Sequence, residues 1–351
     1  MLLENEIYRS ELDRINQAKN DWNKIDNHSF LIIGATGMIG SYMIDVLMRR
    51  NEKLNANIHV FAMGRSLERL RSRFSMYLDS SLFHMVETDV TQPIALDDKV
   101  DYVLHGASNT HPRAYATDPI GTIMTNLMGT QQVLDFAVRN RSKRIAFLST
   151  VEIYGENRGD VEKFSEDYCG YIDCNTLRAG YPEGKRASES LCQAYIAKHK
   201  LDIVIPRICR TFGPTMLLND SKASSQFILN AVNDEDIVLK SEGNQYFSYA
   251  YVGDVVYALL YLLASGKNGE AYNIAVPEFD LYLKDLAEAL ASLNQKEVIF
   301  DLPDEEERKG FSTASQAILA SNKIDSIGWK ALFGVNEALK NTVELIRNER
   351  I

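Results

Sequence analysis

The chain has 351 residues, 45% of them hydrophobic, and a formal net charge of −10. That size buries a large core in one or two domains, and the acidic balance excludes a general nucleic-acid binder, whose footprint would be basic. The 4 cysteines, Cys169, Cys174, Cys192 and Cys209, form no Cys-x-x-Cys pair and no Cys/His cluster, so reduced thiols and no metal site are expected.

Charged residues run through the first two turns' worth of chain and beyond (Glu4, Glu6, Arg9, Glu11, Asp13, Arg14). This predicts no secretory signal, and no apolar run approaches the ~20 residues of a membrane span. A cytoplasmic location without membrane insertion is expected. Leu3, Ile7, Leu12 and Ile15 recur at near-helical spacing, predicting an amphipathic helix over 4–20 within an N-terminal extension, 1–28. From Ser29 onward, β-rich runs at 30–33, 58–63, 83–87, 102–105, 144–148 and 203–207 alternate with helical stretches at 38–49, 67–78, 119–138 and 181–199. Such alternation predicts a Rossmann-type α/β fold over 29–206, a doubly wound parallel sheet with helices on both faces. After Pro206 glycines and polar residues become frequent. Helices are predicted at 225–233, 253–263, 282–293 and 335–347, with strands at 237–239 and 246–250. Residues 207–351 are read as a smaller α/β lobe, mainly substrate-binding and interleaved with the first domain.

Gly34-Ala-Thr-Gly-Met-Ile-Gly40 follows the apolar run Phe30-Leu31-Ile32-Ile33 directly. Gly34 permits a tight turn, Gly37 lets backbone approach a pyrophosphate, and Gly40 lets the following helix pack on the strand. That helix aims its N-terminal N–H groups at phosphates, so Gly34, Thr36, Gly37, Met38, Ile39 and Gly40 are assigned to a dinucleotide. The second strand ends in Met63-Gly64-Arg65-Ser66. An acid that would bind ribose hydroxyls is missing there, and Arg65 with Ser66 suits a 2′-phosphate, which favours NADP over NAD. Tyr181 and Lys185, at i and i+4, lie on one helix face. The ammonium lowers the phenol pKa and an oxidised nicotinamide lowers it further, providing a base for a substrate hydroxyl. Thr150, just past the strand at 144–148, stands at the carboxyl edge of the sheet and is placed to bond the same hydroxyl.

With these residues in order, the chain resembles the extended short-chain dehydrogenases/reductases of the nucleotide-sugar epimerase/dehydratase type, over roughly residues 29–255. Asp89-Val90 resembles the adenine-side pair, and His105-Gly106-Ala107-Ser108 the loop along the cofactor. Asn126, between Thr125 and Gly129-Thr130, resembles the structural asparagine, and Ser149-Thr150-Val151-Glu152-Ile153-Tyr154-Gly155 the catalytic strand end. The resemblance also assigns Arg207 to the cofactor, and Thr110, Arg178, Arg210, Gln226 and Phe247 to the substrate. Within the family, Arg178-Ala179-Gly180-Tyr181-Pro182-Glu183-Gly184-Lys185-Arg186 is similar to the UDP-glucuronate decarboxylases.

The implied reaction oxidises C4 of a nucleotide-activated sugar, loses carbon dioxide from the resulting β-keto acid and reduces the ketone again, with NAD or NADP regenerated each turn. Glu152 acts as a base at C5 or as a negative neighbour of the substrate carboxylate. Val151 cannot donate a proton to a departing C6 hydroxyl, which counts against a 4,6-dehydratase. A 4-epimerase is the alternative enzyme, and a catalytically silent dinucleotide sensor the alternative outside enzymes. The sequence departs from the resemblance at Phe247 and Thr215, where arginines are expected, and at Arg210, where an asparagine is. The resemblance also implies a homodimer through the helices at 119–138 and 181–199, with Leu127, Val133, Leu134, Leu191 and Tyr195 as apolar stripes, and a role in surface polysaccharide synthesis.

Overall fold

The computed structural model describes residues 2–108, 117–302 and 314–350. Thr110, assigned to the substrate from the sequence, lies outside them. Fourteen strands are described: β1 Ser29–Ile33, β2 His59–Gly64, β3 Phe83–Glu87, β4 Tyr102–His105, β5 Arg144–Phe147, β6 Ser149–Thr150, β7 Ile203–Ile208, β8 Arg210–Phe212, β9 Ile237–Leu239, β10 Tyr246–Tyr251, β11 Ala271–Ile274, β12 Asp280–Tyr282, β13 Val298–Phe300 and β14 Gln316–Ala317. The helices are α1 Glu6–Gln17, α2 Met38–Leu54, α3 Leu67–Arg73, α4 Pro119–Asn140, α5 Gly180–His199, α6 Ala223–Val232, α7 Val252–Ser265, α8 Leu283–Ser292, α9 Asn322–Ser326 and α10 Val335–Arg350.

The main sheet runs β3-β2-β1-β4-β5-β7-β11, with β6 beside β7, and its strand pairs are parallel. Alternate residues of the central strands enter two different cores. Phe30, Ile32, Val60, Ala62, Leu104 and Ala146 join one, while Leu31, Ile33, Phe61, Met63, Val103 and Ile145 join the other. This two-sided burial is why the strands read as continuous apolar runs. The order reverses between β1 and β4, which opens a crevice at their carboxyl ends, where open α/β sheets bind ligands.

Three expectations change. The helix predicted over 67–78 stops at Arg73, and a 3-10 turn, Ser75–Tyr77, follows. Phe74 and Tyr77 turn inward there to pack on Phe83, and the Tyr77 hydroxyl donates to Asp45 at 2.9 Å. The sequence also hid β11, which pairs with β7. Its buried Asn273 breaks the apolar pattern, yet is satisfied by Tyr154, Phe164 and Ala320. The short strands β8, β12 and β14 around β10 were hidden as well. Through β11, and through α7 packed on β5 and β7, the later part of the chain returns to the main sheet. The N-terminal helix is confined to Glu6–Gln17 and packs on α2. Helices α4 and α5 pack side by side within the chain, burying Val133 and Leu134 and leaving Leu127, Leu191 and Tyr195 half-buried. Among the described residues no helix is long and apolar enough to cross a membrane.

Candidate active site

The glycine loop has the shape a dinucleotide needs. Gly34 has φ +86°, and a Cβ there would stand 3.0 Å from the Gly106 carbonyl carbon and 3.1 Å from Ala107 N. The β1 and β4 loops therefore touch backbone to backbone. At Gly40 a Cβ would lie 2.4 Å from Gly34 O, so any side chain there forces the loop apart. Gly37 is the N-cap of α2, and no side chain caps the helix; its first N–H groups face the crevice without an internal acceptor. These observations fit a pyrophosphate. Thr36, Met38 and Ile39 lie on the same half-buried turn, and Thr215, just after β8, closes it by donating to Met38 O at 2.9 Å.

Next along the crevice, Ser108 donates to Asn126 Oδ1 at 2.9 Å, and Asn126 Nδ2 donates to Thr122 O at 2.9 Å. Gly184 lies close enough to this buried asparagine that a Cβ would be 3.3 Å from it. Val90 packs on Gly129 of α4, and Asp89 accepts from Thr91 N at 2.9 Å and Thr91 Oγ1 at 2.7 Å, bonds that hold its carboxyl below the ordinary range with help from Arg65. The parallel register places Gly64 opposite Glu87, whose carboxylate accepts from Leu67 N at 2.9 Å. Sequence reading missed this acid because it comes from β3, not from the end of β2.

The structure brings Thr150, Glu152, Tyr181 and Lys185 together. Thr150 ends β6, caps the 3-10 turn Val151–Tyr154 by accepting from Glu152 N at 3.3 Å, and hydrogen-bonds Tyr181. Burial, then the Glu152 carboxylate, pushes the Tyr181 phenol well above its usual 10, and the Thr150 bond opposes them. Lys185 lies one helical turn beyond Tyr181. Its buried ammonium donates to Leu148 O at 2.7 Å over the Phe147 ring, and burial brings its pKa down to about 8. Burial and Lys185 also press His105 down to about 3, so a neutral imidazole lies beneath the site, bonded to Thr130 at 3.2 Å.

Among the substrate candidates, Arg210 lies over the Phe247 ring, 3.5 Å from its centroid, within the field of Glu152 and Arg178. Gln226 is exposed and donates to Asp220 O at 2.5 Å, closing the turn before α6. Arg207, expected at the cofactor, is held by protein partners. Its guanidinium forks onto Glu189 at 3.1 and 2.7 Å, and its Nη1 donates to Tyr154 Oη at 3.0 Å and Glu166 O at 2.6 Å. It ties β7 to α5 and to the 166 loop.

A glycine-loop Rossmann fold with a threonine at a strand end and a tyrosine and a lysine on the helix packed against it defines a dinucleotide-dependent enzyme of the short-chain dehydrogenase type. The chain belongs to the NAD dependent epimerase/dehydratase family, whose model matches residues 30–275. It is 29% identical over 329 residues to UDP-glucuronic acid decarboxylase 1 of Xenopus tropicalis, covering 92% of this chain and 73% of that one. It is 31% identical over 321 residues to UDP-glucuronic acid decarboxylase 6 of Arabidopsis thaliana, covering 89% and 87%. In fold it is similar to the UDP-glucuronic acid 4-epimerase of Bacillus cereus solved with UDP-glucuronic acid and NAD, with a TM-score of 0.76 at 21% identity, covering 92% of this chain and 99% of that one.

Proposed function

We propose that the protein is an NAD-dependent decarboxylase of a nucleotide-activated uronic acid, acting through a 4-keto intermediate, with UDP-glucuronate as the best candidate substrate. The observation that carries this reading is the cluster in which Thr150 bonds Tyr181 while Glu152 stands close enough to act on its phenol. The similarity to decarboxylases supports it over other chemistries of the family. Val151 is buried and carries no proton, which argues against loss of a C6 hydroxyl.

Bound NAD supplies the hydride acceptor and, when oxidised, a positive ring that favours the phenolate. Tyr181 takes the C4 hydroxyl proton and then faces the ketone oxygen as a neutral phenol. When the C5–C6 bond breaks and carbon dioxide leaves, the electron pair moves onto that oxygen. Thr150 and Tyr181 are the donors placed to bear the charge. Glu152 stands beside the departing carboxylate, and Lys185 fixes the helix face through its bond to Leu148 O.

The choice of NAD rests on Glu87. A 2′-phosphate at the end of β2 would meet a carboxylate already bonded to Leu67 N, while Arg65 is shared with Asp89. Glu87→Gln is expected to narrow the ratio of NADP to NAD dissociation constants by about 10-fold. An unchanged ratio in titrations of both dinucleotides would remove Glu87 from cofactor choice. The reaction itself is tested by mixing the protein with NAD and UDP-glucuronate and following products by mass spectrometry and NMR. Carbon dioxide and a UDP-pentose are expected. A product of unchanged mass inverted at C4 would make the protein an epimerase, and no conversion of UDP-glucuronate, UDP-glucose or dTDP-glucose with either dinucleotide would overturn the proposal.

A further inference from the structure

We propose that Glu11 of the N-terminal helix is a positioning residue for the dinucleotide, tying the cofactor helix α2 to the β8–β10 strand pair and to α10 so that the dinucleotide stays bound from one turnover to the next. This inference rests on the dinucleotide reading above. Glu11 is buried, and its Oε2 accepts from two buried hydroxyls at once, Tyr42 Oη at 3.2 Å and Tyr251 Oη at 2.6 Å. Its Oε1 accepts from Asn341 Nδ2 at 2.8 Å. Tyr42 stands one helical turn beyond Met38, the first residue of α2. Tyr251 ends β10 opposite Phe212 of β8, and Asn341 belongs to α10, which packs on α6 and α8. One carboxyl group therefore joins the helix that faces the crevice to the strands and helices of the later chain.

Near its crevice end, α2 is held to this region at two levels. Thr215, just after β8, donates to Met38 O at 2.9 Å. One turn further along, the Tyr42–Glu11–Tyr251 bridge repeats the link. The first tie is made by the later chain directly, whereas the second needs α1, which lies ahead of residues 30–275 shared with the family. Other ties of α1 grip α2 farther from the crevice. Arg49 forks onto Asp13 with both bonds at 2.7 Å, and Asn16 Nδ2 donates to Val46 O at 3.1 Å.

The position of the bridge makes it a matter of cofactor retention. The first turn of α2 offers a pyrophosphate its backbone N–H groups, and their hold depends on where that turn stands against the loops after β4 and β8. A redox cycle that returns hydride to the same sugar gains from a dinucleotide that does not leave. Hydroxyl bonds to a buried carboxyl group fix α2 against sliding, because no water stands by to replace them. A glutamine can keep the bridge. Its carbonyl oxygen accepts from both tyrosines, and its amide meets Asn341, whose own amide turns to present its oxygen.

The test follows the rate at which excess NAD displaces NADH from the loaded protein, read by NADH fluorescence, in wild type, Glu11→Ala, Glu11→Gln, Tyr42→Phe and Asp13→Ala. Displacement should be about 10-fold faster in Glu11→Ala and about 3-fold faster in Tyr42→Phe, which keeps the ring and loses one bond. Glu11→Gln should bring the rate back to within about twofold of wild type. Asp13→Ala also loosens α1 from α2, so its thermal midpoint should fall while its displacement rate holds. The double variant of Glu11→Ala with Tyr42→Phe should be no faster than Glu11→Ala alone, since both cut one bridge. A wild-type rate in Glu11→Ala overturns the assignment. So does an equal rise in Glu11→Ala and Asp13→Ala, which would make α1 a packing element only, and so does a Glu11→Gln rate as fast as that of Glu11→Ala. Where Glu11→Ala does not fold, Tyr42→Phe against Asp13→Ala decides the matter. If wild type binds neither NADH nor NAD, the dinucleotide reading is what fails.

Discussion

Two buried charged clusters of this chain are compensated to very different degrees. In the first, Glu11 of α1 accepts from Tyr42 at 3.2 Å, Tyr251 at 2.6 Å and Asn341 at 2.8 Å. Beside it the fully buried Asp45 accepts from Tyr8 at 2.7 Å, Tyr77 at 2.9 Å and Arg73 at 2.5 Å. These carboxylates meet donors from across the chain and fasten the N-terminal helix to the sheet-covering layer. In the second cluster, around Tyr181 and Arg210, a phenol faces a carboxylate and a buried Nη1 lacks an acceptor among the described residues. A closed network specifies structure, and an open one is completed by a ligand.

Tyr181→Phe should sharpen the contrast most. It removes the proton acceptor and leaves the packing in place, so kcat should fall about 10³- to 10⁴-fold. Dinucleotide binding and the thermal midpoint should hold, and a variant retaining more than a tenth of wild-type turnover would take Tyr181 out of the chemistry.

Removing one member from each cluster compares them directly. Asp45→Ala strands Arg73 and two buried hydroxyls, and should cost about 3–5 kcal/mol in urea unfolding. Arg210→Met removes a charge with no partner to strand, and should leave stability equal or higher. Comparable losses in the two would erase the distinction.

Glu152→Gln should slow decarboxylation about 10²-fold with nucleotide binding retained. A mild effect would show that the carboxylate stands by without acting, as an epimerisation would allow.

The last expected effect is a pH dependence. Asp254 is buried and accepts from Leu332 N at 2.6 Å, and burial raises its pKa from 3.8 to about 7. The folded state then holds a proton that the unfolded state releases. Relative to Asp254→Asn, wild type should gain stability as the pH falls from 7 toward 3.8 and lose it as the pH rises through 7. Parallel thermal midpoints over that window would show that the carboxyl is not protonated in the fold.

Much of the site's first half was legible before any coordinates. The three glycines act within seven residues, and Tyr181 and Lys185 within one helical turn, so local spacing encodes their geometry. The strands were legible because burial on both faces writes itself into continuous apolar runs. Asn273 shows the limit: an edge strand whose buried polar residue is satisfied by distant partners does not look like a strand in the sequence. Arg207 shows another, since its guanidinium is claimed by Glu189 from a neighbouring helix and by Tyr154, and sequence order says nothing of that competition.

The sequence by itself determined the parallel sheet, the glycine loop and the placing of Tyr181 and Lys185 on one helix, because each rests on short-range periodicity or on a steric demand that glycine alone meets. The tertiary structure decided which charges face which. Strand register put Glu87 beside the end of β2, the β8–β10 pairing laid Arg210 on Phe247, and helix packing gave Arg207 to Glu189. Coulomb energy and desolvation depend on distance in space, and residues far apart in sequence acquire that distance only when the sheet closes.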